Sequence, residues 1–333
     1  MQQPLPNPEL IGQLIESYYR TDRDSQDREF VSSHWRHYGD QFEVQTDAAG
    51  NLISLQGVGF GVAKWHGLGN RLLDQLCAVS TIAGLPCKLE ILRLRSIAAK
   101  LCRQVGLDPT TNVVRQLFCL NLIRNNLAVA GVNGSKLRFL MIGDGYGVLA
   151  ALVKVLFPES SLVLVDMGKS LLFQSFYCQM AHPDCMHQLA DSMDSNYNAD
   201  FVYCPTERLS SLSHLEFDVA INIASMQEMS NETVQRYFDF LRKGLKPAHL
   251  FYCLNREYKE LIGGEISKFI ENPWLEGDRH LVDDNCAWYK YYFARKTPGE
   301  GRNAFGVRLP LFNYFDGPLR HRLSVLKIDQ SGA

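Results

Sequence analysis

Apolar and polar positions follow a regular alternation in the second part of the chain. From residue 137 onward, short apolar runs of strand length alternate with segments in which apolar residues recur at helical spacing. This alternation predicts an α/β fold with a doubly wound, Rossmann-like, mostly parallel seven-stranded sheet between helices. The runs contain few polar residues, as expected for strands covered on both faces. Predicted strands lie at 137–142, 161–165, 201–204, 217–223, 250–254, 287–293 and 321–328, and predicted helices at 148–157, 169–180, 230–243 and 260–271.

The pattern before residue 134 is mainly helical. The Asn133-Gly134 pair is a turn signal that marks where the pattern changes. We therefore expect two regions: 1–134, serving as a lid, a substrate-binding or an oligomerisation region, and 135–333, forming the Rossmann-like domain. A homodimer is compatible with this arrangement. Helical spacing recurs at 9–20, 72–82, 89–105 and 112–129, and a strand-like run lies at 52–55.

Composition excludes several classes of function. The net charge is −2, from 34 basic and 36 acidic residues, with no long run of either sign, so a broad nucleic-acid interface is not expected. No apolar segment approaches the length of a membrane span, and the first residues lack the pattern of a secretory signal, so we expect a soluble, cytoplasmic protein. The nine cysteines are scattered without a C-x-x-C pair, which favours reduced thiols over disulfides or a zinc site.

Three alternate glycines follow the first predicted strand of the sheet. Gly143, Gly145 and Gly147 make a turn with few side chains, and a predicted helix follows at once. Glycine lets a ligand lie against the backbone, and the helix N-terminus offers unpaired N–H groups. A dinucleotide fingerprint would require glycine or alanine at position 148, where the chain has Val148. The loop therefore predicts a nucleotide site of another kind.

The G-x-G-x-G pattern resembles motif I of the class I S-adenosylmethionine-dependent methyltransferases. The resemblance implies a cofactor site at Gly143, Asp144, Gly145, Tyr146 and Gly147. Met141 departs from the family, which commonly has an acidic residue at that place.

The second predicted strand ends in an acidic residue. Asp166 lies 23 residues after Gly143, close to the spacing expected for the carboxylate that holds both ribose hydroxyls. Met167 beside it is a further predicted cofactor contact. The alternative for Asp166 is an N-cap of the helix that follows.

Two more strand ends carry polar residues. Residues 222–229 and 255–257 resemble the sugar O-methyltransferase family of bacterial polysaccharide and natural-product clusters, whose segments read Asn-x-x-Ser-x-Gln-Glu-Met and Asn-Arg-Glu. The likeness covers about 137–330, whereas 1–130 fits only the general pattern of a helical lead. It implies O-methylation of a sugar or sugar-bearing small molecule, with S-adenosylhomocysteine as product. The predicted contacts are Asn222, Ala224 and Ser225 for the cofactor and Asn255, Arg256 and Glu257 for the acceptor.

The reaction requires a group that takes the proton of an acceptor hydroxyl. Glu228 is the predicted base because it follows the fourth strand, where cofactor and acceptor would meet, and Gln227 would orient the acceptor. The alternative is that Ser225, Gln227 and Glu228 cap the helix that begins near Asn231. His280 and His321 are alternative bases.

Other functions are compatible with the same residues. The same fold supports N- or C-methylation of another small metabolite, or a non-catalytic subunit that binds S-adenosylmethionine. A divalent metal is not predicted, because scattered aspartates are usually solvated. His34 and His37 fit an amphipathic helix better than a pair of metal ligands. The aspartates available to a metal are Asp191, Asp194, Asp283 and Asp284.

Overall fold

The fold is taken from a computed structural model of the chain. It describes residues 7–23, 32–38, 43–46, 52–56, 62–63, 68–190, 197–292, 294–295, 302–304, 307–309, 312–313 and 317–328. Its central feature is a sheet of eight strands among these residues. The strands are β1 Arg138–Ile142, β2 Ser161–Asp166, β3 His187–Leu189, β4 Phe201–Pro205, β5 Phe217–Ile223, β6 Leu245–Arg256, β7 Arg279–Asn285 and β8 Leu319–Val325.

The order of the strands confirms the predicted doubly wound sheet. In space they follow the order β7-β8-β6-β5-β1-β2-β4-β3. Strands β1 to β6 pair in parallel, and β8 runs antiparallel between β6 and β7. The chain winds outward from β1 through β2 and then returns to the other side of β1 with β5. The carboxyl ends of β1 and β5 therefore flank the point where chain order reverses, which is where ligands bind in such sheets.

Helices cover both faces of the sheet. Along β1, Phe139 and Met141 enter one apolar core, whereas Leu140 and Ile142 enter a second core on the opposite face. This two-sided burial explains the uninterrupted apolar run. It also places Met141 in a core instead of at the glycine loop. The helices are α1 Pro8–Arg23, α2 Ser33–Tyr38, α3 Leu68–Gly84, α4 Lys88–Gln104, α5 Thr111–Asn126, α6 Val148–Leu156, α7 Gly168–Ala181, α8 Asn231–Gly244 and α9 Ala287–Tyr291.

The helical region before residue 134 packs on the sheet domain. Apolar residues of α1, α4 and α5 belong to the same core as β1 and α7. Helix α1 lies against α7, and the Asn7 backbone N–H donates to Gln179 Oε1 at 2.6 Å. The strand-like run at 52–55 forms a hairpin strand, Leu52–Gln56, paired with Glu43–Thr46. Within the described ranges, no helix combines the length and the apolar character that a membrane span requires.

Two predicted elements are wrong. The predicted helix at 260–271 is a β-hairpin of Tyr258–Glu260 and Ile266–Lys268, because the Gly263-Gly264 pair makes a turn in which Gly264 has φ +84°. The predicted strand at 287–293 begins instead as helix α9. Its Trp288 is fully buried beneath the guanidinium of Arg115. Tertiary packing therefore favours a helix here, although the alternating pattern predicts a strand.

Two strands of the sheet, β3 and β7, lie where no strand was predicted. β7 is an edge strand of mostly exposed polar residues, and β3 is the opposite edge. β3 is too short to leave a pattern in the sequence, because only three of its residues pair with β4. His187 fixes this edge, since its ring stacks on Phe201 at 4.8 Å and its Nδ1 lies 2.9 Å from Tyr203 Oη.

Candidate functional site

The glycine loop joins the ends of three strands. The Gly143 backbone N–H donates to Val165 O of β2 at 3.0 Å. Ile142, the last residue of β1, pairs with Val165 on one side and with Asn222 of β5 on the other. The loop therefore lies at the point where chain order reverses.

All three glycines of the loop have left-handed backbone angles. The φ values are +70° at Gly143, +65° at Gly145 and +84° at Gly147. A Cβ on Gly143 would lie 2.2 Å from Ser225 Oγ, and a Cβ on Gly147 would lie 3.1 Å from the Gln174 backbone. At these two positions the protein's own packing, more than room for a ligand, requires glycine.

Asp144 closes the N-terminus of α6. Its carboxylate accepts hydrogen bonds from the backbone N–H groups of Leu149 and Ala150, at 3.3 and 2.8 Å. These bonds satisfy two of the donors that a helix leaves unpaired at its start. Burial raises the pKa of Asp144 to about 7, with a further contribution from the nearby Asp166 carboxylate. A direct contact of Asp144 with the cofactor stays a prediction.

Asp166 lies beside the glycine loop. Its carboxylate accepts a hydrogen bond from the Met167 N–H at 2.8 Å and another from Gln174 Nε2 at 2.6 Å, and the Gly145 backbone N–H lies close to it. Burial raises its pKa to about 7, although these hydrogen bonds oppose the shift. The N-cap position of α7 is taken by Met167. Asp166 therefore does not occupy the N-cap position, and it lies half-buried at the tip of β2.

The raised pKa values of Asp144 and Asp166 predict a pH dependence of stability. Each folded carboxyl holds its proton up to about pH 7, whereas an unfolded aspartate loses it near its ordinary value of 3.8. Between these limits the native state binds more protons, so the free energy of unfolding falls as pH rises. We expect Asp166→Asn, which cannot ionise, to weaken this fall in thermal denaturation between pH 5 and 8.

The matched control is Asp239→Asn, because Asp239 is exposed on α8 and bonds to Gln235 of its own helix. This variant should show the same fall in the free energy of unfolding with pH as the wild type. Equal slopes for wild type and Asp166→Asn would show that burial does not raise the pKa of Asp166.

A network of side-chain amides ties together the ends of β1, β5 and β6. Asn222 Nδ2 donates to Ile142 O at 3.1 Å, and Asn255 Nδ2 donates to Asn222 Oδ1 at 2.9 Å. The Gln227 N–H donates to Asn255 Oδ1 at 3.0 Å, and Gln227 Oε1 accepts from the Arg256 N–H at 2.7 Å. Asn222, Gln227 and Asn255 are all buried. These amides position the strand ends, and their contacts with ligands stay predictions.

The turn after β5 carries a strained residue. Ala224 has φ +61°, the one positive value at a non-glycine position in the described part of the chain. Its N–H donates to Leu254 O at 2.7 Å. Such strain costs on the order of 1–3 kcal/mol and is found mostly where function fixes the backbone. Ser225 then donates from Oγ to Ile142 O at 3.1 Å, which holds the turn against the glycine loop.

Glu228 forms a charged cluster with residues from distant parts of the chain. Its Oε1 lies 2.7 Å from Lys259 Nζ, and its Oε2 lies 3.5 Å from His34 Nε2. The three side chains are between 10% and 19% exposed, so the cluster is accessible but largely desolvated. The sequence carries no sign of Lys259 at this site, and it predicts His34 only as a residue of an amphipathic helix.

The helix-capping alternative for residues 225–228 is not supported. Ser230 is the N-cap of α8, and its Oγ accepts a hydrogen bond from the Thr233 N–H at 3.2 Å. Ser225, Gln227 and Glu228 are therefore not needed to cap that helix.

The remaining candidates lie around this edge of the sheet. Tyr146 is partly exposed and packs edge-on against Phe173, with ring centroids 5.1 Å apart. Arg256 and Glu257 are partly exposed at the end of β6. Glu257 acts electrostatically on Arg320 of β8, so it faces a different neighbour from Glu228.

The alternative bases and metal ligands lie on β7 and β8, on the far side of β6. His321 bonds to Tyr252 and Asp284, and Asp283 pairs with Arg320 and Arg322. In the portion of the chain that the structure describes, no three His, Cys, Asp or Glu residues are grouped as a metal site would need. Asp191 and Asp194 lie outside the described residues.

Comparisons with known proteins give only distant similarities. No protein-family model and no curated protein matches the chain. PKMT2 from Rickettsia typhi in complex with AdoHcy is 20% identical over 42% of this chain and 25% of that chain, with a TM-score of 0.30. The cyclopropane synthase MmaA2 from Mycobacterium tuberculosis is 16% identical over 41% of this chain and 42% of that chain, with a TM-score of 0.30. The protein Thermoplasma acidophilum 1320 is 12% identical over 64% of this chain and 89% of that chain, with a TM-score of 0.40.

These similarities are too low to assign a family. The match to the Rickettsia protein spans 25% of its length.

Proposed function

We propose that the protein is an S-adenosylmethionine-dependent methyltransferase. The observation that carries the proposal is the position of Asp166, whose carboxylate lies at the end of β2 beside the Gly145 backbone. A carboxylate at this place accepts two hydrogen bonds from the cis-diol of a ribose. A nucleoside held there lies over the glycine loop, where the chain order of the sheet reverses.

The residues around Asp166 fit this cofactor. Gly145, Tyr146, Met167 and Ala224 are all partly exposed beside the same edge of the sheet. Gly145 has no side chain, and its left-handed φ turns the backbone sharply between β1 and α6. We assign the nucleoside and methionine contacts to these residues. When bound, S-adenosylmethionine supplies a methyl group activated by its sulfonium sulfur.

The acceptor site is assigned to the turn after β5 and the end of β6. Ser225 packs on Gly143, and Glu228 follows it by one short helical turn. A desolvated cluster of a carboxylate, an ammonium and an imidazole suits a polar acceptor. We propose a hydroxyl of a sugar or sugar-bearing small molecule, with Arg256 and Glu257 at the rim of the site. For such a transfer, alignment of nucleophile and methyl group is the main contribution of the protein.

Calorimetry tests the cofactor assignment. We expect the full chain to bind S-adenosylmethionine and S-adenosylhomocysteine, and to discriminate against adenosine 5′-monophosphate, which shares the ribose but lacks the methionine part. Absence of binding by both sulfur compounds would overturn the proposal.

Mass spectrometry tests the transfer itself. With a panel of monosaccharides and their methyl and nitrophenyl glycosides, we expect a mass increase of one methylene group in a product and equal formation of S-adenosylhomocysteine. Methylation of amines alone would favour an N-methyltransferase, and cofactor binding with no turnover of sugars or amines would favour the non-catalytic subunit.

A further inference from the structure

The two oxygens of Glu228 both have partners inside the protein. Lys259 Nζ lies 2.7 Å from Oε1, and His34 Nε2 lies 3.5 Å from Oε2. The Glu228 backbone is held as well, because its N–H donates to Ser225 O at 2.9 Å and its carbonyl accepts from Ser32 Oγ. A carboxylate fixed in this manner is well placed to orient an imidazole, as in carboxylate–histidine pairs of known active sites.

Helix α2 brings His34 to the turn after β5. Ser32, just before the helix, bonds to the Glu228 carbonyl, and Ser33 accepts a hydrogen bond from the Gly263 N–H at 2.9 Å. Ser33 also bonds to Glu265 of the hairpin that follows β6. The start of α2 is thus attached both to the acceptor side of the sheet and to the hairpin. The side chain of His34 is 16% exposed at this junction.

Charges from several elements act on His34. Burial lowers its pKa below the ordinary 6.5, Glu228 opposes this shift, and Lys259, Arg256 and His37 add to it. The imidazole is therefore neutral at pH 7 and able to accept a proton. A histidine that is neutral at working pH and oriented by a carboxylate is the usual form of a general base.

We propose that His34 is the general base of the methyl transfer, with Glu228 as its positioning residue and Lys259 as the group that fixes Glu228. This inference rests on the proposed function, since it names the residue that acts on the acceptor. The acceptor oxygen forms a bond to the methyl carbon as the carbon–sulfur bond breaks, and the electron pair of that bond stays on sulfur. The hydroxyl proton passes to the His34 imidazole and then to water. The assignment replaces Glu228 as the base.

Histidine NMR of the full chain tests the contacts without an acceptor. The His34 signal is identified by its loss in His34→Gln. Because Glu228 raises and Lys259 lowers the pKa of His34, we expect Glu228→Gln to lower it further and Lys259→Met to raise it. A His34 pKa that responds to neither variant would overturn the proposal.

Kinetics with a methylated product from the glycoside panel test the role. We expect His34→Ala to lower kcat about 10²- to 10⁴-fold with little change in KM, and added imidazole to restore part of the rate. The rise of kcat with pH through the pKa of His34 should disappear in this variant. Glu228→Gln should keep that rise, displaced to lower pH. His37→Gln, which changes an exposed histidine on the same helix, is the matched control. It should keep the wild-type plateau kcat, with the pH-dependent rise displaced slightly to higher pH, because His37 adds to the lowering of the His34 pKa.

The outcomes separate this inference from the proposed function. If His34→Ala keeps the wild-type kcat and pH profile while still binding S-adenosylhomocysteine, His34 is not the base and the methyltransferase proposal stands. If Glu228→Gln loses kcat as completely as His34→Ala and loses the pH-dependent rise, the proton goes to Glu228. If the wild type binds no S-adenosylhomocysteine, the proposed function itself fails, and the His34 role fails with it.

Discussion

Replacement of Asp166 by alanine is expected to weaken binding of S-adenosylhomocysteine about 10²- to 10⁴-fold, because hydrogen bonds to a charged group contribute about 1.5–3 kcal/mol each and the ribose diol donates two. Asp166→Asn keeps one acceptor oxygen, so its affinity for S-adenosylhomocysteine should lie between those of the wild type and Asp166→Ala. Calorimetry at pH 8, above the pKa of about 7, measures the effect with the carboxylate ionised.

The control for this prediction is Asp239→Ala, which removes an exposed carboxylate from α8. It should bind S-adenosylhomocysteine as the wild type does. Since Asp166 also holds Gln174 and the Met167 N–H, folding of each variant must be verified by its thermal transition. A folded Asp166→Ala protein with wild-type affinity would remove the ribose assignment.

Gly143→Ala should be the most damaging change in the loop. The φ of +70° costs an alanine about 1–2 kcal/mol, and forcing its Cβ into Ser225 Oγ at 2.2 Å adds about 1–3 kcal/mol. We expect the free energy of unfolding to fall by about 2–5 kcal/mol, with loss of cofactor binding because the loop and the turn after β5 must separate. Denaturant titration with and without S-adenosylhomocysteine measures both effects.

Two variants divide this cost. Gly131→Ala has a similar φ of +79°, but its Cβ would lie at an ordinary 3.7 Å from Ala248, so it isolates the backbone contribution. Adding Ser225→Gly to Gly143→Ala removes the colliding atoms. The double variant should recover the steric cost less the contribution of the hydrogen bond from Ser225 Oγ to Ile142 O. If Gly143→Ala lowers the free energy of unfolding no more than Gly131→Ala does, Ser225 does not pack against Gly143.

The parts of the fold that the sequence predicted are those with a local cause. Strand β1 and the glycine loop follow from an apolar run and a cluster of residues that tolerate positive φ. Asp166 could be placed at the tip of β2 because parallel strands bring their carboxyl ends to one edge. The hairpin after β6 was missed because a single Gly263-Gly264 turn outweighed the helical spacing around it.

The charged cluster at Glu228 could not be predicted in the same manner. His34 reaches it through the docking of α2, and Lys259 reaches it through the hairpin that was predicted as a helix. Neither contact leaves a periodic signal, since both join residues that are far apart in the chain. The buried amides of Asn222, Gln227 and Asn255 show the converse case. The sequence marked them as polar strand ends, but only the coordinates show that they bond to one another.

A crystal structure of the full chain with S-adenosylhomocysteine tests the central claim most directly. We predict that both ribose hydroxyls lie within hydrogen-bond distance of the Asp166 carboxylate, with the sulfur above the glycine loop and toward Ser225. A nucleoside bound at another edge of the sheet, or a ribose that leaves Asp166 bonded only to Met167 and Gln174, would contradict it.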